Sequence, residues 1–220
     1  MKKIIAVFLL LITLSYSISI EYHPSREFAK YFTTQNCSQV LDKFYYLNCY
    51  DYNYKGTKAI AYRLESDNLK AKQIKKRPLF EDDTNIPKKY RTTWSDYKNS
   101  GYDRGHMAPN ASFSFNKAAQ KSVFLMSNII PQNPHLNQSL WKKLEKRERD
   151  FVLRFKEVEV LNLVLYSKNP KKIKNDIAIP KSFIKIIKIG KLKECYKVSN
   201  EELKNQNIRN YRKECESILN

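Results

Sequence analysis

The chain has 220 residues, 41 of them Lys or Arg against 22 Asp or Glu, for a formal charge of +19. With 42% hydrophobic and 13% aromatic residues it can bury a sizeable core, which argues against a disordered chain, and its length fits one domain. Only four glycines, no G-x-G-x-x-G or G-x-x-x-x-G-K-[ST] and no internal repeat argue against a dinucleotide-binding protein and a solenoid.

The chain opens with Lys2 and Lys3, an apolar run over residues 4–14, and the small residues Ser15, Ser17 and Ser19 before the polar Glu21. This is the pattern of a secretory signal peptide, expected over 1–19 and removed, with a single domain over 20–220. The run is short for a bilayer span, and no later stretch is apolar enough for one, so no membrane contact is expected after removal. Export implies the periplasm or the extracellular space. It also places Cys37, Cys49, Cys195 and Cys215 in an oxidising compartment, where an even count reads as disulfides. Of three pairings, Cys37–Cys49 and Cys195–Cys215 are favoured because each closes a short loop near one end of the mature chain. No Cys/His spacing suits zinc.

Residues 21–58 are rich in Tyr and end on a turn signal over 52–56. Residues 58–64 alternate as a strand, and 65–100, with Pro78 and Pro87, read as mostly irregular. A strand-like piece covers 102–108 up to Pro109. Asn116 is placed to cap a short helix through Lys121, and the β-branched run 123–130 reads as a strand ended by Pro131. From Asn137 a helix follows. At about 100° per residue, Leu140, Trp141, Leu144, Phe151, Val152 and Phe155 form one apolar stripe, with Glu145 and Arg149 at its edge. Residues 158–166 read as a buried strand, 177–189 are apolar with Lys interspersed, and the last thirty are mixed and charged. Strands and helices interleave without βαβ spacing, so the class is α+β.

Two of the four glycines cluster at Asp103-Arg104-Gly105-His106, Gly101 just before it and Gly105 within it. His is the default general base near neutral pH, and the planar Arg fork suits phosphate oxygens. A lone His beside Arg is more often an ordinary packed residue. Asn137 can equally cap a helix, and Glu145 can equally pair with Arg149 on the surface. His135 and His23 read as structural, phosphate-facing or solvent-exposed.

The motif Asp103-Arg104-Gly105-His106, followed by Asn128, Pro131-Gln132, Asn137, Trp141, Leu144-Glu145 and Arg149, resembles the DNA/RNA non-specific endonuclease family. The similarity extends upstream through Phe80-Glu81-Asp82, Ile86-Pro87, Tyr90-Arg91 and residues 96–102. It implies a ββα-metal (His-Me finger) core on a mixed, largely antiparallel sheet with flanking helices. It also implies His106 as general base, Asn137 as the sole protein ligand of one Mg²⁺ (Mn²⁺ as a substitute), and Glu145 holding metal-bound waters. Arg104 and Arg149 would contact phosphate, with Asp103 and Asn128 structural near the site. An upstream Arg binds the scissile phosphate in relatives; Arg77 is the candidate here, with Arg91 its rival. Phe124, four residues before Asn128, stands where some secreted members have Asn.

The implied partner is DNA, and RNA through the same phosphate backbone, cut with little sequence preference to leave a 5′-phosphate. The implied homodimer stays open. The basic charge agrees with a polyanionic partner, although Lys richness alongside many Asn and Ile also fits a bias in genome composition. The rival class is an exported nucleic-acid-binding protein without catalysis, serving uptake or adhesion.

Overall fold

The computed structural model describes residues 21–219, so the expected leader over 1–19 lies outside the described residues. A seven-stranded antiparallel sheet forms the centre. Its strands are β1 (Gln39–Asp42), β2 (Tyr46–Asp51), β3 (Gly56–Glu65), β6 (Glu157–Leu165), β7 (Ser182–Ile189), β8 (Leu192–Ser199) and β9 (Arg212–Lys213), in that spatial order. A separate antiparallel ribbon pairs β4 (Asp103–His106) with β5 (Ile129–Gln132). The helices are α1 (Arg26–Ala29), α2 (Ser66–Lys70), α3 (Asn110–Phe113), α4 (Lys117–Val123) and the long α5 (Lys142–Phe155).

Both faces of the sheet are covered, which is why β6 at its centre reads as a continuous apolar run rather than an alternating one. On the front, Ile60, Tyr62 and Leu64 of β3, Val158, Val160 and Val164 of β6, and Phe183 and Ile187 of β7 pack with Trp141 and Leu144 of the helical region. On the back, Ala59, Ala61, Leu161, Leu163, Ile184 and Ile186 pack with Tyr22, Phe28 and all four cysteines. The period-2 geometry of a strand sorts neighbouring residues to opposite faces. The two disulfides are Cys37–Cys49 and Cys195–Cys215, with Cα atoms 5.0 and 5.3 Å apart.

Several expected elements are present. The turn between β2 and β3 is closed by Asp51, whose Oδ1 accepts from the backbone N–H of Asn53 and Tyr54. Asn116 caps α4 through a 2.7 Å bond from the Ala119 N–H. Other expectations are corrected. The strand placed at 123–130 is instead the end of α4, a 3-10 turn at Met126–Asn128 and then β5, which runs through Pro131. Pro fits there because a two-stranded ribbon leaves N–H groups on its open sides unpaired. The Tyr-rich start holds β1 and β2, and the charged tail holds β8 and β9, none of which alternation reveals.

The helix after β5 also departs from regularity. Leu136–Trp141 form a π-helical turn that passes into α5. Asn137 does not cap it. Asn133 does, its Oδ1 accepting from the N–H groups of His135 and Leu136 at 2.9 and 3.2 Å. Trp141 and Leu144 are fully buried, but Phe155, at the last turn, is 42% exposed and leaves the stripe. Among the described residues, no helix is long and apolar enough to cross a membrane.

Candidate active site

The ribbon and the helix that follows it define one cavity of about 620 Å³. His106 at the end of β4, Asp103 and Arg104 on the same strand, Asn137 in the π-helical turn, Glu145 and Arg149 on α5, and Arg77 from the segment before α3 all line it. Phe80, Asn110, Gln138 and Lys142 complete much of the wall. The sequence motifs do not assign Asn110, Gln138 or Lys142. Gln138 and Lys142 are in reach of sequence reading only as neighbours of Asn137 on the same helix.

The backbone of the ribbon is fixed from both sides. Gly105 lies against Gln132, so closely that a Cβ on Gly105 would come within 2.2 Å of Gln132 Oε1. Just beyond His106, the fully buried Asn128 accepts from the Ala108 N–H at 2.8 Å and donates to the carbonyls of Ala108 and Val123. Asn162, reaching forward from β6, donates to the Met107 carbonyl at 2.7 Å. Asn128 therefore clamps the backbone two residues past His106.

Asn137 is oriented by Asp103. The Asn137 Nδ2 donates to Asp103 Oδ2 at 2.9 Å, and Gln138 Nε2 donates to the same oxygen at 2.9 Å. This settles which way the amide points, because only its nitrogen can donate to a carboxylate. The Asn137 carbonyl oxygen is left as the free acceptor. Together with the carboxyl groups of Asp103 and Glu145 it makes an oxygen-only donor set, which suits a hard divalent cation that keeps most of its waters. Among the described residues, no three His, Cys, Asp or Glu side chains converge as a protein-built metal cage. The oxygen donors lining the cavity fit a metal held by few protein ligands.

The titrating groups are displaced in opposite senses. Burial pushes the His106 imidazole down to about 3, helped by the positive charge of Arg77. Burial pushes the Glu145 carboxyl up to about 7, helped by the neighbouring Glu148, while Lys185, Arg149 and Arg77 oppose the shift. The result is a neutral imidazole and a carboxyl held high by burial lining the same cavity, an arrangement frequent at functional sites.

Arg77 and Arg91 separate clearly. Arg77 opens into the cavity. Arg91 is spent on backbone carbonyls, its Nε on Ile86 at 2.5 Å and its Nη2 on Thr84 at 2.9 Å. Arg104 lies 5.6 Å from the Phe80 ring centroid, and Arg149 Nη1 is buried with no partner. Glu145 and Arg149 form no ion pair with each other, so the surface-pair reading of these two does not apply. His135 and His23 lie outside the cavity; each approaches a carboxylate at 3.9 Å, of Glu202 and Glu21 respectively.

Behind the cavity lies a buried polar network that sequence reasoning misses. Lys185 Nζ and Glu148 Oε2 are 2.6 Å apart with both side chains wholly out of water. The Tyr62 and Ser112 hydroxyls also donate to Glu148. A signal for it exists: Glu148 falls at the centre of the apolar stripe of α5, four residues after Leu144.

A two-stranded ribbon and a helix that bring His, Asn and Arg to one cavity define a ββα-metal nuclease fold. The chain belongs to the DNA/RNA non-specific endonuclease family, whose model matches residues 23–219. It is 31% identical over 172 residues to mitochondrial endonuclease G of Homo sapiens, which covers 73% of this chain and 58% of that protein. It is 30% identical over 157 residues to the mitochondrial nuclease of Saccharomyces cerevisiae, covering 64% and 48%, and 35% identical over 137 residues to a nuclease of Nostoc sp., covering 61% and 49%. The matches thus span about half the length of these relatives. A chain in the crystal structure of the EndoG/EndoGI complex shares the fold with a TM-score of 0.73 over 90% of this chain and 89% of that one, at 23% identity.

Proposed function

We propose that this protein is an exported, metal-dependent endonuclease that hydrolyses phosphodiester bonds of DNA and RNA with little sequence preference. The observation that carries the reading is the convergence, in one cavity, of a neutral imidazole, an amide with a free carbonyl oxygen, a carboxyl group and three guanidinium groups.

His106 takes a proton from the attacking water, which a neutral ring can do and a protonated one cannot. Arg77, Arg104 and Arg149 bind phosphate oxygens and hold the backbone in line for attack, with no contact that reads a base. Asn137 Oδ1 would hold a Mg²⁺ or Mn²⁺ ion, and Glu145 would accept hydrogen bonds from its waters. When bound, the ion supplies positive charge that offsets the charge growing on the phosphate and on the leaving 3′ oxygen. Cleavage on that side leaves a 5′-phosphate. The leader pattern over 1–19 and the two disulfides support export to the periplasm or beyond.

A metal titration of cleavage tests the ligand. Asn137→Ala is expected to raise the Mg²⁺ requirement and lower the rate together. The loss should exceed the roughly 10–100-fold typical of removing an outer-shell partner such as Asp103. An unchanged Mg²⁺ titration would place the metal elsewhere.

A further inference from the structure

His106 lacks the hydrogen bond that normally orients a catalytic imidazole. Its Nε2 is buried, and no donor or acceptor reaches it. Nδ1 is therefore the ring nitrogen that can meet the cavity. What holds the ring is aromatic. Phe124 meets it in a T-shaped contact with centroids 4.9 Å apart, Phe80 is tilted against it at 5.6 Å, and the two phenyl rings touch each other at 5.1 Å. The seat is well anchored. Phe124 is 2% exposed, just past the end of α4, and its carbonyl accepts from the Glu81 N–H at 3.1 Å. The Glu81 carbonyl in turn accepts from the Met126 N–H at 2.9 Å, tying the segment that carries Phe80 to the segment that carries Phe124.

We propose that Phe124, supported by Phe80, is a positioning residue for the base: the two rings aim Nδ1 of His106 at the cavity and keep Nε2 dry and without an acceptor, so the ring stays neutral and able to take a proton in acid as well as neutral media. The inference rests on the reading of His106 as the base.

An imidazolium has two N–H donors and needs a partner or water for each. Here Nε2–H has neither: it already lacks a partner in the neutral tautomer that leaves Nδ1 free to accept, and protonation turns it into a charged donor, whose burial without an acceptor costs far more. The surroundings do not compensate. Arg77, Arg104, Arg149 and Lys142 line the same cavity and disfavour another positive charge. Of the acids there, Asp103 is engaged by Asn137 and Gln138, and burial keeps Glu145 protonated up to about 7. From the Phe80 segment Glu81 faces Lys121 at 3.2 Å, and β5 presents the uncharged Ile129 opposite His106. A polar side chain at 124 reverses the logic, because it gives Nε2 a partner and stabilises the charged ring.

The test is a histidine NMR titration of the metal-free full chain, which has three histidines. The His106 signal is assigned by its loss in His106→Gln. In the wild type it is expected to titrate near pH 3. Phe124→Asn should raise that midpoint by about one pH unit or more, and Phe124→Leu should leave it low. Phe80→Asn, at a half-buried position, repeats the test should Phe124→Asn not fold. The acid limb of kcat/KM should move with the midpoint, whereas a merely structural role lowers the rate and leaves the limb in place. A wild-type midpoint near the ordinary histidine value, or an unmoved midpoint in both Asn variants, overturns the proposal. Cleavage retained in His106→Ala would instead remove the base reading and leave the titration result standing.

Discussion

At Gly105 there is no room for a methyl group. The space a Cβ needs is filled by Gln132, a fully buried cross-strand neighbour. Gly105→Ala should therefore destabilise the protein by about 1–3 kcal/mol, as overpacking does, and should depress cleavage further by shifting His106. Urea unfolding beside an activity assay reads both; an unperturbed variant would mean that the ribbon can spread at no cost. His106 adds a pH dependence of its own. Its folded-state pKa lies below the unfolded value, so the unfolded chain binds a proton between about pH 6.5 and 3 while the folded chain does not. The stability that follows from this is fully present above 6.5 and is lost as the pH falls toward 3. His106→Gln should lose less stability than the wild type when unfolding is compared at pH 7 and pH 4; parallel losses would contradict the depressed pKa. Gly105 and His106 are legible in the sequence, because glycine is used sparingly and the motif spacing is specific. The orphan Nε2 and the Gln132 contact are not, because both are made by residues about twenty or more positions away.

The helix after β5 shows what periodicity reads and what it misses. The stripe through Leu140, Trp141, Leu144 and Val152 is buried as a 3.6-residue repeat requires. The π-helical turn over Leu136–Trp141 is not legible, since a widened turn leaves no mark on composition. Here it presents Asn137 to the cavity while Trp141 is buried. β1 and β2 escape alternation because Asn48 and several tyrosines occupy buried strand positions, paired through side-chain bonds that a hydropathy pattern cannot show. The Lys185–Glu148 pair ties β7 to α5 beneath the site. Lys185→Met strands the Glu148 charge, for an expected loss of about 3–5 kcal/mol, while the double variant Lys185→Met, Glu148→Leu should recover most of it. A small loss in the single variant would mean that Tyr62 and Ser112 suffice to hold the carboxylate.

For the molecule as a whole, charge, class and staples are readable from composition and spacing. A +19 chain fits a polyanionic partner or a bias in genome composition, interleaved elements point to α+β, and two short loops point to the cysteine pairs seen as Cys37–Cys49 and Cys195–Cys215. The strand order is not readable, because a sheet that places β6 between β3 and β7 depends on contacts about a hundred residues apart. That sheet packs against α5 through β6 and against the ribbon through β3, and the cavity lies between helix and ribbon. The reaction proposed there is cleavage of a phosphodiester backbone with His106 as base and a divalent metal beside it. The direct test is nicking of supercoiled plasmid by the mature protein with Mg²⁺, with a chelator, and as His106→Ala. Cleavage is expected only from the intact protein with metal, weakening steeply as salt rises because phosphate contacts release counterions. Plasmid that is retarded but uncut in every lane would contradict it and point to a nucleic-acid-binding protein built on a nuclease scaffold.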